Sequence, residues 1–177
     1  DIVASLYSRD NLFNTIDKLT NNIFIPITAG GGIRSLDDIR SLLKVGADRI
    51  SINSHLFENP EILSQISNTF GGQFLTVMIE VKKIGNDYFC MKNHGRDNSG
   101  FKFDKWLDFL SDKNIGELAI YSVDNDGTNK GYEENLIDII NKKNIKHPLI
   151  YGGGLSNINN IASLIKNTNS TGISLSS

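Results

Sequence analysis

Short apolar, β-rich runs alternate along this chain with stretches whose apolar residues recur at helical spacing. Residues 23–28 read as a strand that runs into Gly30-Gly31-Gly32. Ser35 then caps a helix, with Asp38 three positions on as the acidic partner of a capping box. Leu36, Ile39, Leu42 and Leu43 form its apolar face, and Gly46 stops it. Residues 49–53 make the next strand, and Pro60 opens a helix through Ile62, Leu63 and Ile66. Residues 74–80 are a continuous apolar run ending in the carboxylate of Glu80, the pattern of a parallel strand buried on both faces. Residues 88–91 read as an extended excursion and 94–100 as a polar loop. A helix over 104–110 sets Trp106, Leu107 and Leu110 on one face. Then come a strand over 117–123, a helix over 133–141, a strand over 148–151, a helix over 158–165 and a last strand over 172–175. Such alternation predicts an α/β fold, a parallel sheet with helical crossovers.

An internal repeat makes the fold more specific. Pro26-Ile27-Thr28-Ala29-Gly30-Gly31-Gly32-Ile33 aligns with Pro148-Leu149-Ile150-Tyr151-Gly152-Gly153-Gly154-Leu155, an offset of 122 residues. The match continues through the helix (Ile39 with Ile161, Leu42 with Leu164) and, with one inserted residue, pairs Ile50-Ser51-Ile52-Asn53-Ser54 with Ile173-Ser174-Leu175-Ser176-Ser177. Asp1 and Asp124 match more weakly. One βα unit takes about 30 residues of a barrel of about 250, so the offset is four units, or half a barrel. The expectation is a single domain with the (βα)8 TIM-barrel fold, incomplete in this chain, running from the end of strand 2 through strand 8. Asp1 would end barrel strand 2, and later barrel strands would end at Gly30, Asn53, Glu80, Val123, Tyr151 and Ser177. Strand 1, helix 1, most of strand 2 and helix 8 are expected to lie outside this chain.

Composition removes several function classes. The chain has 177 residues, 39% of them hydrophobic, enough for a sizeable core in one domain. A formal net charge of −2 argues against a binder of nucleic acid by charge alone. No apolar run reaches the roughly 18 residues of a membrane span, and no signal peptide is visible, so a cytoplasmic protein is expected. Cys90 is the single cysteine, which excludes an intrachain disulfide and a multi-cysteine metal site. His55, His94 and His147 have no metal-ligand spacing and read as surface residues; no metal and no cofactor is expected.

The strand ends carry the candidate chemistry. A strand running into three glycines can turn tightly and present backbone N–H groups to phosphate oxygens, because no Cβ blocks the approach. Gly31 and Gly32 form one such loop and Gly153 and Gly154 the other. Asn53-Ser54 and Ser176-Ser177 follow the next strand in each copy and add side-chain donors. Two such sites suit a ligand with a phosphate at each end. Glu80, at the mouth end of an apolar strand, is a candidate general acid or base. Asp124 and Asp126 lie at the following strand end, one of them open to an Asx-turn role, and Asp1 is a further mouth carboxylate.

Gly30-Gly31-Gly32-Ile33-Arg34, Ser51-Ile52-Asn53, Glu58-Asn59-Pro60, Ser122-Val123-Asp124-Asn125-Asp126-Gly127-Thr128 and Gly131-Tyr132 resemble the cyclase subunits (HisF type) of imidazole glycerol phosphate synthase over essentially the whole chain. The resemblance implies a lyase of histidine biosynthesis that takes ammonia from a glutaminase subunit in a heterodimer. Ammonia converts a bisphosphorylated aminoimidazole carboxamide ribonucleotide to imidazole glycerol phosphate. It also implies that the two glycine loops, with Ser122 and Asp1 beside them, hold the substrate. Glu80 and Asp126 then match active-site carboxylates, Arg49 and Glu117 match charged residues around the ammonia entrance, and Asp48 matches a contact to the glutaminase. Glu80 departs from the family, which has Asp there; one added methylene displaces a carboxylate by roughly 1 Å, enough to cost about 10²-fold in rate. Two other readings follow from that departure: a related barrel that delivers ammonia to a surface-polysaccharide sugar, or an inactive barrel that scaffolds a glutaminase.

Overall fold

A computed structural model describes residues 10–20, 22, 24–143 and 145–175. The chain divides into two compact units. One reaches to Val77 and takes in Asn114–Gly116; the other holds Met78–Lys113 and everything from Glu117 on.

The first unit contains α1 (Asp10–Thr20), β1 (Thr28–Gly30), α2 (Leu36–Lys44), β2 (Arg49–Ile52), a 3-10 turn (Ser54–Phe57), α3 (Ile62–Phe70) and the start of β3 (Leu75–Ile84). β1 and β2 run parallel with Thr28 opposite Arg49 and Gly30 opposite Ser51. β2 and β3 run parallel with Ile50 opposite Leu75 and Ile52 opposite Val77. The expected capping box is present: Asp38 N–H donates to Ser35 Oγ (3.2 Å), and Ser35 N–H donates to Asp38 Oδ2 (2.9 Å). Helix α2 ends at Gly46, as the sequence suggests, and Thr20 Oγ1 donates to Val45 O (3.1 Å), tying α1 to that end. Ile39, Leu42, Ile50, Ile62, Leu63, Ile66 and Leu75 fill the core of this unit.

Two expectations need correction here. Residues 24–27 are not part of a strand, and β1 is only Thr28–Gly30. The apolar look of that stretch misleads because Phe24 is 99% and Ile25 67% exposed. Helix α1 was not anticipated at all; its mean hydropathy is close to neutral and its sequence, DNLFNTIDKLT, is half polar.

The second unit continues β3 and adds β4 (Asp87–Lys92), β5 (Asp97–Lys102), α4 (Phe103–Leu110), β6 (Glu117–Ser122), α5 (Glu134–Lys142), β7 (Leu149–Gly152), α6 (Ile158–Asn167) and β8 (Gly172–Ser174). β6 pairs parallel with β7, Leu118 opposite Leu149, and β7 with β8, Ile150 opposite Gly172. β3, β4 and β5 form an antiparallel meander beginning at the pair Glu80 and Met91. The polar loop expected over 94–100 is therefore mostly strand. Almost every residue of β5 is exposed, so no apolar alternation marked it. Phe103, Trp106, Leu107 and Leu110 bury one face of α4, and Leu136, Ile137 and Ile140 one face of α5.

Among the described residues, the parallel strands lie in the order β1-β2-β3-β6-β7-β8, and a helix stands between each successive pair in the chain. That is the signature of consecutive βα units, and the fold class is an incomplete (βα)8 barrel. The packing gives a direct test. Phe103 is fully buried, so Phe103→Ala is expected to cost about 3–5 kcal/mol. A urea titration should show this as a lower midpoint at unchanged slope.

Candidate functional site

The first glycine loop leaves β1 at Gly30. A Cβ at Gly30 would stand 2.8 Å from Ser51 O on β2, so the two strand ends are close enough to exclude any side chain. Gly31 (φ 115°) and Gly32 (φ 61°) then turn through the left-handed region into the Ser35 cap. Asn53 follows β2 with its side-chain carbonyl buried, and Ser54 opens the 3-10 turn. Gly31, Gly32, Asn53 and Ser54 all belong to this first unit, at the C-terminal ends of neighbouring parallel strands.

The second loop, in the other unit, solves the same problem with tighter packing. Gly153 (φ 99°) and Gly154 (φ 84°) make the turn. A Cβ on Gly153 would meet Ser122 O at 2.5 Å, and one on Gly154 would collide with Gly131 O. Gly131 N–H donates to Gly154 O (2.8 Å), and Asn125 Nδ2 donates to Gly131 O (2.9 Å). Buried Ser122 ends β6, and its Oγ donates to Asn125 Oδ1 (3.2 Å). The loop over 122–131 is thus folded against the glycines. Asn157 caps α6 at φ −143°, ψ 162°, beside −144° and 163° for Ser35, its counterpart at the 122-residue offset.

Glu80 lies where β3 changes partners. Upstream, β3 pairs parallel through Val77; from Glu80 it pairs antiparallel with β4. The carboxylate is only 6% exposed. Gly95 N–H donates to its Oε2 (3.2 Å), and His94 Nδ1 stands 3.5 Å from its Oε1. Both come from the β4–β5 turn, in which Asn93, His94 and Gly95 have φ of 54°, 61° and 69°.

Polar contacts anchor this hairpin to the loop after β6. Lys83 N–H donates to Asp124 Oδ2 (2.7 Å). Tyr88 Oη donates to Glu133 Oε1 (2.8 Å), and Glu133 N–H donates to Tyr151 Oη (3.2 Å). Burial works to raise the Glu133 carboxyl, but hydrogen bonds from Tyr88 and Asn135 and the nearby Lys83 ammonium outweigh it and hold the group below the usual carboxylate range. Burial pushes the Tyr151 phenol up to about 12, and hydrogen bonds to the Glu133 backbone and Ser122 only partly oppose it. Burial also raises the Cys90 thiol, with Asp104 adding to the shift, so this cysteine is no nucleophile near neutral pH.

The expected site residues divide accordingly. Glu80, Ser122, Asp126, Gly153 and Gly154 all belong to the second unit, where Ser122 packs against Gly153. Asp126 is exposed one turn beyond Ser122, its N–H donating to Ser122 O (3.1 Å). Asp124 has a structural task, its carboxylate latching the Lys83 backbone. Asp1, Ser176 and Ser177 lie outside the described residues. Asp48 is exposed and accepts from Ile27 N–H (2.8 Å), while Arg49 opens β2 and Glu117 opens β6. Among the described residues, no group of three or more His, Cys, Asp or Glu side chains could hold a metal ion, and no helix is long and apolar enough to cross a membrane. Sequence reasoning missed His94 and Gly95 as neighbours of Glu80. The available signal was Asn93-His94-Gly95, a turn-forming run returning toward the strand that bears the carboxylate.

A family model described as "Histidine biosynthesis protein" matches residues 1–175. Among curated relatives, imidazole glycerol phosphate synthase subunit HisF of Sulfolobus acidocaldarius is 37% identical over 94% of this chain and 66% of its own length. The subunits of the same name from Natranaerobius thermophilus and Legionella pneumophila are 39% and 37% identical over 89% of this chain, covering 62% and 74% of their lengths. The chain thus spans between 62% and 74% of the length of these relatives.

Gly154→Ala should be among the most damaging single-methyl changes in the second unit, because it combines a left-handed φ with a collision against Gly131. Its expected cost exceeds about 1 kcal/mol. Isothermal titration with inorganic phosphate should show weaker binding, whereas an unchanged isotherm would separate this loop from anion binding.

Proposed function

The chain belongs to the histidine biosynthesis protein family, in the company of its HisF subunits, and from that premise we propose that it forms the greater part of an ammonia-dependent cyclase barrel. The reaction is conversion of a bisphosphorylated aminoimidazole carboxamide ribonucleotide to imidazole glycerol phosphate, with the aminoimidazole carboxamide ribonucleotide as second product. The observation that carries the reading is Glu80: a buried carboxylate at the C-terminal end of the parallel part of β3, gripped by a turn rather than exposed to solvent. Barrel enzymes do their chemistry at that end of the strands, and a carboxylate shielded from water is suited to proton transfer.

In this reading, Glu80 moves the proton at one step and Asp126, in the next loop, is a further active-site carboxylate. The loops at Gly31-Gly32 and Gly153-Gly154 hold one phosphate each, assisted by Asn53, Ser54 and Ser122, with Asp1, Ser176 and Ser177 completing the set. Support for this comes from the left-handed backbone of all four glycines and from the close neighbours that fill the Cβ positions of Gly30, Gly153 and Gly154. A glutaminase partner would deliver ammonia at the opposite strand ends, where Asp48, Arg49 and Glu117 lie within or beside the first residues of their strands.

One feature favours a second reading. The glutamate at position 80 replaces the aspartate that the resemblance leads one to expect, and a shifted carboxylate fits a related barrel handing ammonia to another acceptor, such as a surface-polysaccharide sugar. The same assay decides between them. The full-length protein, given ammonia and the bisphosphorylated ribonucleotide, should form imidazole glycerol phosphate. Glu80→Gln should lower that turnover by about 10²- to 10⁴-fold. No product with ammonia, nor with glutamine and a glutaminase, would sink the cyclase reading and leave the altered acceptor.

A further inference from the structure

The Glu80 carboxylate is reached by a turn whose backbone is held in an uncommon conformation. Asn93, His94 and Gly95 occupy the left-handed region in succession, an uncommon run built from residue types that tolerate it better than most. The turn is braced from several sides. Asn93 Nδ2 donates to Asp97 Oδ2 (2.7 Å), and Ser99 Oγ donates to Cys90 O (2.7 Å). Gly95 lies so close to Val123 that a Cβ there would come within 3.0 Å of Val123 Cγ1. Val123 is itself fixed by donating its N–H to Val81 O (2.9 Å). The result is two neighbouring groups directed at the two oxygens of one carboxylate: Gly95 N–H at Oε2 and the His94 ring at Oε1.

We propose that His94 is a positioning residue for Glu80, fixing the orientation in which that carboxylate meets the substrate. This rests on the reading of Glu80 as an acid–base group. Gly95 N–H meets one oxygen, and a second group from the same turn at the other oxygen helps to fix the plane of the carboxylate. The longer reach of glutamate makes the arrangement possible, because the turn meets its carboxylate one methylene farther out than an aspartate would place it. His94 can serve from the rim, since its side chain is 45% exposed while that of Glu80 is 7% exposed. A merely turn-forming residue at this position would need only tolerance of the left-handed conformation, and that difference makes the idea testable.

The test uses the full-length protein in the ammonia-dependent assay. His94→Gly relieves the backbone and removes the ring, so a structural role predicts no loss. Positioning predicts that kcat falls by about ten- to a hundredfold while KM changes little. His94→Asn, which tolerates the same backbone and restores a side-chain donor, should recover most of that loss. In the Glu80→Gln background, His94→Gly should have no further effect, since the group it orients is gone. Wild-type turnover in His94→Gly, or an equal loss in both backgrounds, overturns the proposal. If Glu80→Gln cripples turnover and His94→Gly does not, only the role of His94 falls. If Glu80→Gln itself is harmless, the acid–base reading of Glu80 fails and the positioning role goes with it.

Discussion

A carboxylate removed from water has to be met by donors or give up its charge, and in the second unit the placement of Glu80 sets the course of the chain around it. From this residue on β3 pairs antiparallel with β4, and the turn after β4 brings a donor back to the side chain. The hairpin in turn needs anchoring, since β5 and the outer part of β3 are exposed. Lys83 to Asp124 and Tyr88 to Glu133 supply that anchoring from the loop after β6. The same loop reaches the glycines through Asn125 and Gly131. The hairpin that holds the carboxylate and the second glycine loop are thus both tied to the loop after β6.

The two glycine loops reach similar backbone turns under different constraints. In the first, the limit is the approach of adjacent strand ends, Gly30 against Ser51. In the second, the limit is a neighbouring loop, whose carbonyls at Ser122 and Gly131 occupy the space where Cβ atoms would be. Glycine is required in both, and the second is tied by hydrogen bonds to a loop bearing carboxylates. Changes around Asn125 or Gly131 are accordingly coupled to the shape of the second loop, while the first depends on strand pairing between β1 and β2.

Much of this was legible in the residues, and the failures have physical causes. The Ser35–Asp38 box, the stop at Gly46 and the apolar faces of α4 and α5 are local features, so local patterns reveal them. The buried run ending at Glu80 was visible because a strand covered on both faces has no polar alternation. β5 was missed because its side chains face solvent and leave no pattern. Residues 24–27 looked like strand because Phe24 and Ile25 are apolar, yet exposure and not hydrophobicity is their lot. The contact of His94 with Glu80 joins positions fourteen residues apart, and only the hairpin register brings them together.

That register also separates the two carboxylates of the loop after β6. Asp124 and Asp126 are near neighbours with the same chemistry, and sequence alone gives no means of ranking them. The hairpin arm marks out Asp124, whose carboxylate holds the Lys83 backbone, although both residues are exposed. A carboxylate bound to a backbone N–H is committed to geometry. Its removal would loosen the hairpin and so disturb Glu80 at a distance. Loss of function at Asp124 would therefore not by itself identify a reacting group.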